Sequence, residues 1–117
     1  MVSRLDENIH ILGDATNQGD MPKSGYSANS QAKVAAMAVR GALTGSRVFP
    51  AKFSNTCWSL IATDDGVKVG AAYEPNDEKI ASVSSFVSQT GEDAALRKAT
   101  YEESIGWYEG ITSDMFG

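Results

Sequence analysis

Two turn signals, Asp64-Asp65-Gly66 and Pro75-Asn76-Asp77, cut residues 53–87 into three runs of strand-forming sequence. The runs cover residues 53–63 (FSNTCWSLIAT), 67–73 and 80–87. In the second, Val67, Val69, Ala71 and Tyr73 alternate with Lys68, Gly70 and Ala72, the period of a half-buried strand. Turns this short leave no room for a crossover helix, so successive runs pair antiparallel. The expectation is a three-stranded antiparallel meander.

Helical signals lie on both sides of it. A helix starts near Ser24 or Ser27 and runs to about Thr44, with Gly45 as its stop. Ala28, Ala32, Ala35, Val39 and Leu43 fall at helical spacing, and Ala36, Met37 and Ala38 widen that face, which predicts a long buried helix. Phe49-Pro50 ends the pattern. Thr90-Gly-Glu-Asp93 resembles a capping box and predicts a second helix over residues 91–112. Leu96, Ala99, Trp107 and Ile111 line one side of it, and Tyr101, Ile105 and Tyr108 another, so this helix is expected to contact two surfaces. The fold class is α+β.

Residues 8–12, with Ile-His-Ile-Leu, read as a short buried N-terminal strand. Only a charged leader precedes it, and parallel neighbours would need crossover helices for which there is no room. The segment is therefore expected to belong to something larger. His10 reads as a strand side chain, and a single histidine makes no metal site. Gly13, Asn17, Gly19, Asp20 and Pro22 make residues 13–24 a loop.

A chain of 117 residues, 42% hydrophobic and 21% charged, is of single-domain size and globular composition. Its net charge of −5 is uneven: residues 1–50 carry five basic and four acidic side chains, residues 51–117 five and eleven. An acidic second half argues against a nucleic-acid partner. It suits a basic protein partner, or an ordinary solubilising surface. The single cysteine, Cys57, forms no disulfide within the chain. No apolar run reaches membrane-spanning length, and residues 1–8 lack the basic and apolar regions of a signal peptide.

Gly13-Asp14 at the end of an apolar run has a physical use. Glycine lets a ligand approach the backbone, aspartate accepts hydrogen bonds from ligand hydroxyls, and a nearby helix start offers N–H groups and a positive dipole end. On its own the pair is equally a strand followed by a turn.

Four strings extend the reading: NIHILGDAT, MPKSGYSANSQAKVAA, SNTCWSL and WYEGITSDMFG. In this order and spacing the chain resembles, from about Asn8 to Gly117, the C-terminal portion of the flavoprotein subunit of flavocytochrome c sulfide dehydrogenase, a relative of the sulfide:quinone oxidoreductases. The resemblance implies a fragment of a larger FAD-binding fold. Residues 1–48 would be the C-terminal piece of the FAD-binding domain and residues 49–117 the sulfide dehydrogenase C-terminal domain.

The resemblance implies that Gly13 and Asp14 meet the ribityl chain or phosphate linkage of FAD. It places Met21, Pro22, Lys23, Ser24, Gly25 and Tyr26 along the isoalloxazine ring, with the following helix aimed at the flavin pyrimidine edge. Cys57 would be one half of a redox-active cysteine pair attacked by sulfide. The reading from residue type alone is a small buried hydrophobe. Trp107 would lie near the flavin on the route to a haem subunit, or serve as a core anchor. The implied partners are the missing N-terminal FAD and NADH-like domains, a c-type cytochrome subunit and sulfide, in the periplasm.

The chain has no G-x-G-x-x-G motif and no second cysteine. It therefore reads as a fragment, a truncated product or a separately expressed domain, with weak or absent FAD binding alone and a tendency to self-associate. The alternative is a stand-alone, non-catalytic dimerisation or interaction module from the same family. A thiol enzyme built on Cys57 alone lacks an activating neighbour in the sequence.

Overall fold

The computed structural model describes residues 1–117. The element order is α1 (Gly25–Thr44), β1 (Phe53–Ala62), β2 (Asp65–Pro75), β3 (Ile80–Val87) and α2 (Ala94–Phe116). The strands form one sheet in the order β1-β2-β3, so the chain is α+β with the expected antiparallel meander.

Local chemistry explains where the elements end. Ser24, extended at φ −157° and ψ 159°, caps α1 by accepting a hydrogen bond from the Ser27 N–H. Gly45 closes α1 at φ 69°, a left-handed conformation that glycine adopts without penalty. The α2 cap falls three residues later than the predicted box. Gly91, at φ 84°, cannot be helical, and Asp93 caps instead, accepting from the Leu96 N–H at 2.8 Å. The first hairpin turns at Thr63-Asp64, with Asp64 at φ 57°, rather than at Asp64-Asp65-Gly66. Gly66 serves a different purpose inside β2: a Cβ there would sit 3.0 Å from the Tyr101 backbone nitrogen, so glycine lets α2 approach the strand.

Two expectations need correction. The short N-terminal strand is reduced to a single antiparallel bridge between Val2 and His10, flanked by the Ser3 N–H to Ile9 carbonyl and Ile11 N–H to Met1 carbonyl hydrogen bonds. Ile9, Ile11 and Leu12 stay exposed, because the leader supplies their only partner backbone. Nor is α1 buried on most sides. Its buried residues are Ser27, Gln31, Ala35 and Gly41, while Met37, Val39 and Leu43 are exposed.

The chain divides into two compact units, and the strands contribute to both. The first comprises Met1–Asn55 and Ala71–Ser84, the second Thr56–Gly70 and Ser85–Gly117. The core of the first is Met21, Phe53, Ala71 and Tyr73, with Met1, Val34, Ala51 and Ile80 packed against it. Full burial of a large side chain such as Phe53 contributes about 2–3 kcal/mol. In the second, the Trp58 and Trp107 rings pack with centroids 5.8 Å apart, tilted by 33°. Such a pair adds about 1 kcal/mol beyond its buried area.

Candidate functional site

The loop over residues 13–24 is held to α1 by polar side chains. Gln31, one and a half turns into the helix and fully buried, accepts from the Gly13 N–H at 2.8 Å and donates to the Gln18 side-chain oxygen at 2.9 Å. Gln18 passes the link on, donating to the Met21 and Pro22 carbonyls at 3.2 and 2.7 Å. Thr16 closes the turn with a 2.9 Å hydrogen bond to the Gly13 carbonyl. The start of α1 is tied down in the same way, since the Ser24 and Ser27 hydroxyls both donate to Asn55 Oδ1, at 2.5 and 3.1 Å. Buried amides satisfied from both ends hold a loop in one conformation, because breaking any link strands a polar group away from water.

This scaffold brings the Gly13-Asp14 turn onto α1 and leaves part of the loop open. Asp14, Pro22, Lys23 and Gly25 are exposed, and Tyr26 is half-buried. A Cβ at Gly13 or Gly25 would meet nothing within 4 Å, so no neighbour in the chain demands glycine at Gly25. Ser24 is committed internally, to Ser27 and Asn55.

The groups that the resemblance assigns to a flavin are of the types a flavin would use. There is an exposed carboxylate for hydroxyl groups, a cation, and a helix N-terminus whose first N–H groups have no intrahelical acceptor. His10 is half-buried, its backbone bridged to Val2.

In the second unit Cys57 is exposed rather than the small buried hydrophobe its residue type suggests. It lines an open groove of about 450 Å³ together with Ser59, Val69, Val87, Thr90 and Arg97. Alternation along β1 puts it on the sheet face opposite Trp58. Lys68 and Arg97, which also border the groove, are spent on carboxylates, Glu103 and Asp65, each at 2.6 Å. Trp107 packs on Trp58 and is half-buried.

The residues that sequence reasoning passed over are Gln18, Gln31 and Asn55. A signal was present for one of them. Ser24, Ser27 and Gln31 recur at helical spacing, one position away from the alanine face taken as buried. A polar stripe at that spacing marks a buried face only if partners await it, and those partners, the Gly13 N–H, Gln18 and Asn55, come from elsewhere in the chain.

A protein-family model described as flavocytochrome c sulphide dehydrogenase, flavin-binding, matches residues 50–116. That span covers β1, β2, β3 and α2, including Cys57, Gly66, the Trp58–Trp107 pair and the groove. More than half of the chain lies within the match, and the α+β architecture is the fold class that the turn signals and periodicity predict. The chain belongs to the flavin-binding family of flavocytochrome c sulphide dehydrogenase.

Proposed function

We propose that this chain is the C-terminal, flavin-contacting segment of a sulfide dehydrogenase-type flavoprotein. In this reading residues 1–48 complete an FAD-binding domain and residues 49–117 form the sulfide dehydrogenase C-terminal domain. Electrons pass from sulfide, through a redox cysteine and FAD, to a c-type cytochrome subunit in the periplasm. The observation that carries the reading is the loop over residues 13–24, pinned to α1 through Gln31 and Gln18 while Asp14, Lys23 and Gly25 stay open.

Bound flavin supplies a two-electron acceptor. The chain's own residues do the rest. The Asp14 carboxylate accepts hydrogen bonds from ligand hydroxyls. Lys23 and the α1 N-terminus favour negative charge beside them. Ser24, by capping, keeps that helix start formed. Cys57 shares a disulfide with a cysteine outside this chain; sulfide attacks it, leaving a persulfide on one sulfur and a thiolate on the other. The isolated chain, with one cysteine, is not expected to turn over.

The second reading, a non-catalytic dimerisation or interaction module, draws support from the exposed apolar residues Leu5, Ile9, Leu43 and Phe49. Sedimentation at rising concentration measures the self-association expected from them, and a clean monomer would count against it.

The test of the flavin reading is an FAD titration of the chain alone and with the N-terminal portion of a flavocytochrome c sulfide dehydrogenase added in trans. Weak binding alone and tight binding together is expected, because each charge-assisted hydrogen bond missing from the pyrophosphate site costs about 1.5–3 kcal/mol. Stable yellow protein from the chain alone would refute the expected dependence. No gain on complementation would refute the flavin reading.

A further inference from the structure

Serines at helical spacing, Ser24, Ser27 and Ser30, tie the start of α1 to the start of β1. Ser30 Oγ accepts from the Ser54 N–H at 3.1 Å. The Ser24 and Ser27 hydroxyls donate to one atom, Asn55 Oδ1, at 2.5 and 3.1 Å. Ser27 and Asn55 are 0% and 3% exposed, so their contact forms away from water. All of these residues belong to the same compact unit.

Asn55 decides which way the cap of α1 points. A hydroxyl has one proton to donate and lone pairs to accept with. Ser24 gives its proton to Asn55 Oδ1, which leaves its oxygen turned to accept from the Ser27 N–H at 3.1 Å. That acceptance is the N-cap bond of the helix. An apolar residue at position 55 would take the acceptor from both hydroxyls, and Ser27 has no water to replace it.

The charge of this acceptor matters as well as its position. Carboxylates are favoured at helix N-termini, where they offset the positive end of the dipole. The second helix uses one, Asp93, as its cap. The first uses none: its cap is serine, its first turn holds no acidic residue, and the acceptor behind the cap is an amide. The adjoining side chain, Lys23, is an exposed cation. A carboxylate at position 55 would accept the same two hydroxyl protons, so the need for an acceptor does not by itself select the amide.

We propose that Asn55 is a positioning residue of the flavin site: its neutral oxygen fixes the Ser24 cap and leaves the positive end of α1 uncancelled for an electron-rich ligand group. The identity of that ligand rests on the flavin reading; the hydrogen bonds do not. An uncancelled helix end favours the more negative, reduced form of a flavin over the oxidised form.

The test uses the chain complemented in trans and loaded with FAD, and reads the flavin midpoint potential, which reports the ratio of affinities for reduced and oxidised FAD. Asn55→Asp is expected to weaken reduced FAD about tenfold more than oxidised FAD, a fall of about 30 mV for a two-electron couple. Asn55→Ala is expected to weaken both forms alike, about tenfold, and to speed amide exchange at Ser27 and Ala28 in the chain alone. Ser85→Asp, which adds a solvent-screened carboxylate at an exposed position, is expected to leave the ratio within about twofold. Circular dichroism confirms that each variant is folded. Ser24→Asp, a competent cap that puts a carboxylate at the same helix end, carries the test where Asn55→Asp does not fold.

FAD bound by the unaltered chain, with the ratio unchanged in Asn55→Asp, would overturn the inference and leave the flavin reading standing. An equal fall for Ser85→Asp would reduce the effect to net charge and overturn it too. No FAD gained by the unaltered chain on complementation would refute the flavin reading and this inference together.

Discussion

The two units are held together differently. The first is electrically neutral and carries the apolar core of Met21, Phe53, Ala71 and Tyr73 together with a buried polar network. Gln18, Gln31, Ser27 and Asn55 are all 4% exposed or less and hydrogen-bond one another or the backbone. The second is acidic, and an indole pair and a close helix–strand contact at Gly66 join α2 to the sheet. Its one fully buried large polar side chain is Thr100. A polar network defines one loop conformation, because every alternative leaves a donor or acceptor stranded in low dielectric. Aromatic and apolar packing is less directional and tolerates variation. The loop proposed for flavin contact thus lies in the unit whose polar network fixes it, and the excess negative charge lies in the other.

Gln31→Leu breaks that contrast with the largest effect. It strands the Gly13 N–H and the Gln18 amide, each unsatisfied buried group costing about 1–3 kcal/mol, for a loss of about 3 kcal/mol by urea unfolding. Amide exchange is expected to rise across residues 13–24 and to stay slow in β1 and β2 near Trp58. A uniform rise would remove the distinction between the units.

Trp107→Ala sharpens it from the other side. Losing the partner of Trp58 is expected to cost about 2–3 kcal/mol, less than for a fully buried tryptophan because Trp107 is only half-buried. Exchange across residues 13–24 is expected not to change. Gly66→Ala, whose Cβ would press on the Tyr101 backbone, is expected to cost about 1–2 kcal/mol and to quench less of the indole fluorescence than Trp107→Ala.

The smallest effect concerns Asp20, at the end of the loop. Its carboxylate pairs with Lys79 at 2.5 Å and accepts from the Ser82 N–H at 3.2 Å. The Lys79 ammonium first, and the Ser82 N–H second, hold its carboxyl below the usual carboxylate range. The folded state thus prefers the ionised form. Its contribution is complete above the unfolded value of about 3.9 and is lost as pH falls through the lower folded value. Asp20→Asn is expected to lower the melting temperature slightly at neutral pH and to flatten the acid limb of the melting curve. An unchanged acid limb would show that the pair contributes nothing.

Local signals were legible and tertiary ones were not. Ser24 and Gly45 marked α1 because capping depends on the residue and its immediate neighbours. The meander was legible because its turns are short. Gly66 was misread as a turn glycine, since Asp-Asp-Gly is turn chemistry and the approach of Tyr101 comes from a helix thirty-five positions away. Ile9, Ile11 and Leu12 read as buried because apolar composition states a demand for neighbours without showing whether the chain supplies them. For the candidate site, the family match covers the string around Cys57 and not the one around Asp14, and the anchoring glutamines needed the fold to bring Gly13 onto α1.

The central claim, that the turn after Leu12 is shaped to meet a flavin, is tested most directly by FAD affinity of the complemented protein with Asp14→Ala against the unaltered chain. A loss of about tenfold or more is expected if Asp14 holds a ligand hydroxyl. Unchanged affinity, with the loop still protected in amide exchange, would contradict it.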